Sequence, residues 1–456
     1  MPTKRTVTPP PTPAPARPPY MLIEQIQVKG YKSLVDVTLH VRPLTLLAGT
    51  NSSGKSSVMQ PLLLIKQTME APYQPAGALL LEGAHVQAET AGELVSKVNK
   101  SNSQFIISVL GRDIELVSIR DILFEQAYSI NGTSFQIDYQ KTRVGNDTSI
   151  LTPNMTKEKI DQLLIFTKDD VSIIGSKISQ GEVFYDGCFL RIQMRNEKGQ
   201  TKGRILYSHQ FEEELERLMH IPGLRGAPKR GYPSAFFEYQ IRGTFDLYAA
   251  GTVNQWQQQN NIEALSQLSD YLQRLGLTNS ISAKVKNANE VELSVNRLPA
   301  SSKSKPKKAD MVNIADVGIG VSQVLPILVA LIAAQEGQIV YVEQPELHLH
   351  PRAQVAMGEL LAEAANRGVR VIVETHSSLL LLTVQTLIAQ GKIANTDVGL
   401  HWFTRDAKGV TNVQYVVPDE DGAYGEWPED FSDIELKAQD AYLTAVGLRQ
   451  FGEAAQ

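Results

Sequence analysis

The stretch Gly49-Thr50-Asn51-Ser52-Ser53-Gly54-Lys55-Ser56 has the spacing G-x-x-x-x-G-K-[ST]. Each residue type in it has a task if the ligand is a polyphosphate. The glycines Gly49 and Gly54 let backbone N–H groups turn inward, and Asn51, Ser52, Ser53 and Ser57 keep the loop and its exit small and polar. A helix that starts here adds unpaired N–H groups and the positive end of its dipole. Lys55 supplies a mobile cation for the β- and γ-phosphates, and the Ser56 hydroxyl is a ligand for Mg²⁺. Such a site needs a second, acidic group at a strand end. The run GQIVYVEQPE offers Glu343 directly after its apolar stretch, with Gln344 and Glu346 beside it.

Other residues invite competing chemistry. Glu346, His348, His350 and His376 have the types of a metal cluster, but His348 and His350 share a face only if their stretch is extended. Gly223-Leu224-Arg225-Gly226 with Arg230 reads equally as a phosphate- or base-contacting loop and as a plain surface turn. The single cysteine, Cys188, has no nearby Cys–His signature and reads as an inert packing residue.

The elements that must position these groups are legible in part. Leu22–Val28, Leu34–Val41 and Leu44–Ala48 read as strands, and Ser56–Ala71 as a helix with Val58, Leu62, Ile65 and Met69 on one face. Pro61 is expected to kink that helix. In the middle, Gln104–Leu110 and Val183–Gln193 are strand-like. Phe211, Leu215, Leu218 and Met219 form one helical stripe. Ile262, Leu265, Leu268, Leu272 and Leu275 form a second, which stops at Gly276. Ile339–Val342 and Val369–Val373 are short apolar runs of the buried parallel kind, with a helix over Gln354–Ala365 between them. Trp402–Thr404 and Asn412–Val417 suggest two further strands.

Composition limits the function classes. The 456 residues suffice to bury a core, with 42% hydrophobic and 20% charged residues. A net charge of −5 speaks against a protein that coats nucleic acid, though a local basic groove stays open. One cysteine excludes an internal disulfide framework and fits a reducing, cytoplasmic setting. The longest apolar run, Val324–Ala334, falls short of the roughly 20 residues of a membrane span. The first twenty residues hold 8 of the 23 prolines and read as a disordered tail, while SSKSKPKK (Ser301–Lys308) reads as a solvated basic loop.

The order of the phosphate loop, VGIGVSQVLPIL, VEQPELHLHP and VIVETHSS resembles ABC-type ATPases of the SMC/RecF/OLD-like branch. Within it, the chain is most similar to compact AAA-family ATPases with VEQPE-x-HLHP and a tail that here is Trp427, Pro428 and Phe431. The resemblance runs from Leu22 to Phe431 and implies an α/β P-loop NTPase head of ABC/SMC type with an inserted α+β lid. Its implied partition is a tail (1–20), an N-terminal half-head (21–75), an insertion (76–308) and a C-terminal half-head (309–456). Lys55 and Glu343, far apart in sequence, would then meet one Mg²⁺–ATP.

The resemblance also implies roles. Glu343 takes the Mg²⁺-facing acidic place beside Ser56, and Gln344 stands where a glutamate general base is usual, with Glu346 as its substitute. His376 matches the switch histidine at the γ-phosphate, and His348–Pro351 the segment facing a partner subunit. Gly318, Gly320 and Ser322 fall in the signature segment that caps a second copy's nucleotide, with Gly318 where a serine is usual. Lys32 lies where a basic nucleotide contact is placed. The implied protein is a homodimer or larger, with ATP and Mg²⁺ as cofactors and slow hydrolysis. It would regulate a separate effector, a nuclease, in antiphage defence. The rivals are a RecF-like DNA repair clamp, which would contact nucleic acid, and an ATP-bound scaffold.

Overall fold

The computed structural model describes residues 21–425 and residue 444, apart from 74–75, 99–101, 114–119, 167–177, 197, 206, 237–239 and 298–309. The proline-rich tail, the basic run Ser301–Lys308 and Trp427, Pro428 and Phe431 lie outside the described residues.

Strands β1 (Met21–Tyr31) and β2 (Leu34–His40) form an antiparallel hairpin, and β3 (Leu44–Gly49) leads into helix α1 (Lys55–Glu70), which continues through Pro61. β4 (Gln104–Asp113), β5 (Arg120–Asn131), β6 (Ser134–Val144) and β7 (Asp147–Leu151) extend the hairpin into a six-stranded antiparallel sheet, β2-β1-β4-β5-β6-β7. Helix α2 (Lys157–Phe166) is followed by a small sheet of β8 (Ile178–Asp186), β9 (Phe189–Asn196) and β10 (Thr201–Ile205). The stretch Val183–Gln193 is therefore not one strand but the tip of a hairpin. Asp186 pairs with Phe189 across Gly187, whose φ of 60° supplies the reversal.

Helix α3 (His209–Arg217) ends one residue before β11 (Met219–Ile221). This corrects the four-residue helical stripe. Phe211 and Leu215 are helical, but the backbone turns extended at Leu218, and Met219 pairs in parallel with Val340. Next come β12 (Tyr232–Pro233), α4 (Ala249–Gln258), α5 (Ile262–Arg274), β13 (Ile281–Asn287), β14 (Glu290–Asn296) and β15 (Met311–Asn313), the strands forming a four-stranded sheet. α5 is followed by Gly276 at φ 71°, and Leu268, Leu272 and Leu275 are buried. Ile262 is 69% exposed, because the first residue of the helix precedes its packed turns.

The remaining elements are α6 (Ile319–Ala333), β16 (Ile339–Glu343), α7 (Pro351–Asn366), β17 (Arg370–Glu374), α8 (Ser378–Ala389), β18 (Val398–Arg405) and β19 (Thr411–Val416). Together they build the central sheet β11-β16-β17-β3-β18-β19, parallel throughout except for β19. Its two faces feed two cores because successive side chains alternate. Leu44, Leu46, Val340, Val342, Val371 and Val373 pack with residues of α4 to α8. Leu47, Ile339, Tyr341, Ile372 and Phe403 pack with α1 and the antiparallel sheet. Strands buried on both faces read as continuous apolar runs, which is why β3, β16 and β17 were legible. The stretch 76–308 joins this frame through β11 and the helices α4 and α5. No described helix is long and apolar enough to cross a membrane.

Candidate functional site

The C-terminal ends of β3, β16, β17 and β18 bring Gly49, Glu343, Glu374 and Arg405 to one edge of the sheet, where ligands of open α/β sheets bind. Gly49 and Gly54 are obligatory for steric reasons. A Cβ on Gly49 would lie 2.0 Å from the Phe403 carbonyl oxygen, and one on Gly54, at φ 100°, would lie 2.7 Å from Thr411 Oγ1. The Ser53 hydroxyl donates to the Thr50 carbonyl at 2.7 Å, and Ser52 takes φ 60°, so the loop curls on itself. Lys55 is buried, and its ammonium donates to the carbonyls of Thr50 at 2.8 Å and Gly49 at 3.1 Å. Burial lowers its pKa, against the pull of Glu374 and Glu346.

A cavity of about 610 Å³ opens over this loop. Its lining includes Asn51 to Ser57, Lys32, Gln344, Glu374 and His376. Four cations, Lys32, Lys55, Lys97 and Arg405, stand around it, a setting suited to a polyphosphate. Lys32, at φ 48°, donates to Gln60 Oε1 at 2.7 Å, and Arg405 reaches the Ser52 carbonyl at 3.4 Å.

The acid next to Ser56 is Glu374. The Ser56 hydroxyl donates to Glu374 Oε1 at 2.9 Å, and Tyr341 donates to Glu374 Oε2 at 3.3 Å. Glu343 is the register partner of Glu374 on the neighbouring strand. Its Oε2 accepts from the Gly223 N–H at 3.0 Å, and its Oε1 lies 3.1 Å from His220 Nε2. The environments push the two acids apart. Burial raises the Glu374 carboxyl, helped by the Glu343 charge and opposed by Ser56. Burial also raises Glu343, but the contacts with His220, Gly223 and Tyr341 outweigh it and leave its pKa lowered. A serine hydroxyl and two adjacent carboxylates are hard oxygen donors of the kind Mg²⁺ takes, so these residues fit the ion. No group of three or more His, Cys, Asp or Glu arranged for a metal occurs among the described residues, so Glu346, His348, His350 and His376 form no cluster.

Gln344 takes a left-handed φ of 46° and donates its N–H to the Glu374 carbonyl at 2.7 Å. Glu346 accepts from the His376 N–H at 2.7 Å, which ties it to the turn that carries the histidine. Burial raises the Glu346 carboxyl. Burial and Lys55 lower the His376 imidazole, which keeps it neutral near pH 7. Gly318 is the N-cap of α6, Gly320 and Ser322 lie in its first turn, and Ser322 donates to the Ile319 carbonyl at 2.8 Å. None of the three lines the phosphate-loop cavity. A Cβ on Gly320 would lie 3.2 Å from the Leu277 side chain and 3.9 Å from the His348 carbonyl oxygen of the HLHP segment. His348 and His350 are exposed around buried Leu349, and His350 Nδ1 caps α7 at 3.4 Å from the Arg352 N–H.

In the 223–226 segment the arginine turns inward, while Leu224 is exposed. Arg225 is 9% exposed and donates to the carbonyls of Pro222, Glu343 and Gln344 at 3.0, 3.0 and 3.1 Å, while Arg230 pairs with Asp316. Burial lowers the Arg225 guanidinium to about 10. Glu374, Lys97 and Arg405 were not picked out from sequence, whereas Arg225 was, as part of the 223–226 loop. Of those three, only Glu374 carried a signal there, as the last residue of an apolar strand run beside His376.

A phosphate loop between a buried parallel strand and a helix, with Glu374 lining its cavity and Glu343 beside Glu374 on the next strand end but outside that lining, defines an α/β P-loop NTPase. In keeping with that class, a family model described as "AAA ATPase domain" matches residues 21–186. A second, described as "AAA domain, putative AbiEii toxin, Type IV TA system", matches residues 209–382. The chain is thus similar to AAA-type ATPase domains on both sides of its middle. No curated protein matches it. Among solved structures, an SMC head bound to the C-winged helix domain of ScpA is 11% identical with a TM-score of 0.47, over 87% of this chain and 97% of that one. An SMC head with an extended coiled coil, bound to the C-terminal domain of ScpA from Pyrococcus furiosus, gives 11% and 0.47 over 87% and 96%. The SMC head domain from Thermotoga maritima gives 10% and 0.38 over 87% and 99%.

Proposed function

We propose that this chain binds ATP with Mg²⁺ over the phosphate loop, hydrolyses it slowly, and closes as a dimer around it. The observation that carries the reading is the convergence of Lys55, Ser56, Glu374, Gln344 and His376 on one cavity. Lys55 exchanges its loop carbonyls for the β- and γ-phosphates, and loop N–H groups hold the phosphate oxygens. Ser56, Glu343 and Glu374 are the residues that hold Mg²⁺, which when bound neutralises phosphate charge. Neutral His376 donates to the γ-phosphate. Gln344 orients water but takes no proton, which makes turnover slow, with Glu346 the alternative acceptor. Lys32, Gly49, Asn51, Ser52, Ser53, Gly54 and Ser57 complete the nucleotide's surroundings.

Residues 21–75 and 309–456 act as the two halves of one head, with 76–308 as its regulatory insertion. The exposed start of α6 at Gly318 and Ile319, beside exposed His348, supports docking of a second copy there, with Gly318, Gly320 and Ser322 toward its nucleotide. The dimer is the sensor subunit of a separate cytoplasmic effector, a nuclease in antiphage defence. The toxin–antitoxin wording of the model matched over 209–382 is in keeping with such a partnership.

The test combines sedimentation with and without Mg²⁺–ATP, phosphate release, and pull-down of the neighbouring gene product. The expected result is a monomer-to-dimer shift with ATP, slow release, and an effector bound or freed according to nucleotide. Release stimulated by DNA with steep salt dependence would overturn the effector role in favour of a repair clamp. ATP retained intact through purification would overturn hydrolysis in favour of a scaffold.

A further inference from the structure

A chain of polar side chains, buried at His220, His85 and Lys66 and partly exposed at Glu343 and Glu70, leads away from the end of β16 into the molecule. Glu343 Oε1 lies 3.1 Å from His220 Nε2, His220 Nδ1 lies 2.9 Å from His85 Nδ1, and His85 Nε2 lies 3.2 Å from Glu70 Oε2. Glu70 ends the chain in an ion pair with Lys66 at 3.0 Å and accepts the Gly243 N–H at 2.8 Å. Lys66, 1% exposed, donates to the carbonyls of Leu215 and Ile241 at 2.7 and 2.9 Å.

The arrangement is costly unless complete, since a buried imidazole or carboxylate without a partner loses its hydration. Each histidine is held at both ring nitrogens, so neither ring is free to turn. The two rings meet through their Nδ1 atoms, which makes one the donor and the other the acceptor. The His220 ring also stacks on Tyr341 at 5.2 Å, and its backbone sits within β11, in register with Tyr341 of the acid-bearing strand. The far end belongs to α1, the helix that carries Lys55 and Ser56 at its start and Lys66 and Glu70 near its finish.

We propose that His220 is a positioning residue of the nucleotide site. It holds the Glu343 carboxylate in place, and His85 and Glu70 hold His220. The proposal rests on Glu343 serving Mg²⁺–ATP, as set out above. It does not rest on hydrolysis, because the placing of an acid beside Glu374 of the cavity alters Mg²⁺–ATP binding as well as rate. Partners of this kind commonly cost 10- to 100-fold in metal affinity when removed.

The test measures ATP affinity in EDTA and in Mg²⁺ for the wild type, His220→Ala, His220→Gln, His85→Ala and the double variant His85→Ala/His220→Ala. The readout is the factor by which Mg²⁺ strengthens binding. His220→Ala is expected to lower that factor about tenfold and to leave the EDTA affinity within about twofold of wild type. His220→Gln should recover most of the loss, because its side-chain N–H can stand where Nε2 stood. His85→Ala should give a smaller loss in the same direction, and the double variant should be no worse than His220→Ala, as coupled neighbours require. An unchanged factor in a folded His220→Ala protein would overturn the proposal, as would losses in the double variant that simply multiply. If His220→Ala does not fold, a wild-type factor in His220→Gln together with a reduced one in His85→Ala supports the proposal, and an unchanged factor in His85→Ala overturns it. A wild type that binds ATP without any Mg²⁺ effect overturns the magnesium reading beneath it.

Discussion

At Gln344 the backbone is held at φ 46°, and an amide stands where the resemblance places a carboxylate. If that position faces the attacking water, Gln344→Glu should raise kcat by about 10²-fold with KM little changed, measured by phosphate release. An unchanged kcat would place the proton acceptor elsewhere. Gly54→Ala tests the loop itself. Its Cβ would meet Thr411 Oγ1 at 2.7 Å from a φ of 100°, so a loss of about 1–3 kcal/mol in unfolding free energy and of ATP affinity is expected. The phosphate loop was legible because its chemistry is contiguous. Glu374 was not, because its meeting with Ser56 depends on which strands are neighbours, a matter of topology rather than spacing. His220 and His85 meet partners more than a hundred residues away in sequence and no local pattern marks them, while the loop that marks Arg225 does not show that its partners are Glu343 and Gln344.

The edge of the central sheet shows the same division between elements. Strands β16 and β17 announce themselves as apolar runs, whereas β11 has three residues and continues the helical spacing of Phe211 and Leu215. Only its pairing with Val340, Tyr341 and Val342 makes it a strand. Gly187 likewise divides an apolar stretch into the hairpin β8–β9, since a glycine in such a run signals either a bulge or a turn. Just beyond β11, Arg225 satisfies the carbonyls of Glu343 and Gln344 where β16 ends. Arg225→Ala removes the donor shared by both carbonyls, leaving Gln344 only the Leu347 N–H at 3.2 Å, so a loss of about 1–3 kcal/mol in urea unfolding and reduced ATP turnover are expected. Arg225→Lys should recover only part, because one ammonium cannot reproduce the fork. Wild-type stability in Arg225→Ala would show that the strand end holds its shape unaided.

Across the whole molecule, the central sheet joins two cores, and its far side is fastened by His401. This imidazole is fully buried, with Nε2 3.0 Å from the His40 carbonyl oxygen and 3.1 Å from its N–H donor. Burial pushes its pKa down to about 4 from 6.5, with the backbone of His40 opposing and the His40 charge assisting. The folded state thus binds its proton less readily than the unfolded chain. The stability from His401 is complete above about pH 6.5 and is lost as pH falls toward 4, by about 3 kcal/mol at most. Chemical denaturation at pH 7 and pH 4.5 should show a smaller decline in His401→Gln than in wild type, and equal declines would contradict the assignment.

Nucleotide binding stands or falls with the phosphate loop and its Lys55. Titration of the wild type and Lys55→Ala with Mg²⁺–ATP in a calorimeter tests it directly. One site per chain is expected in the wild type and an affinity about 10- to 100-fold weaker in the variant, the worth of a lost charge-assisted contact. Equal affinity in the two proteins, or no binding to either, would contradict it.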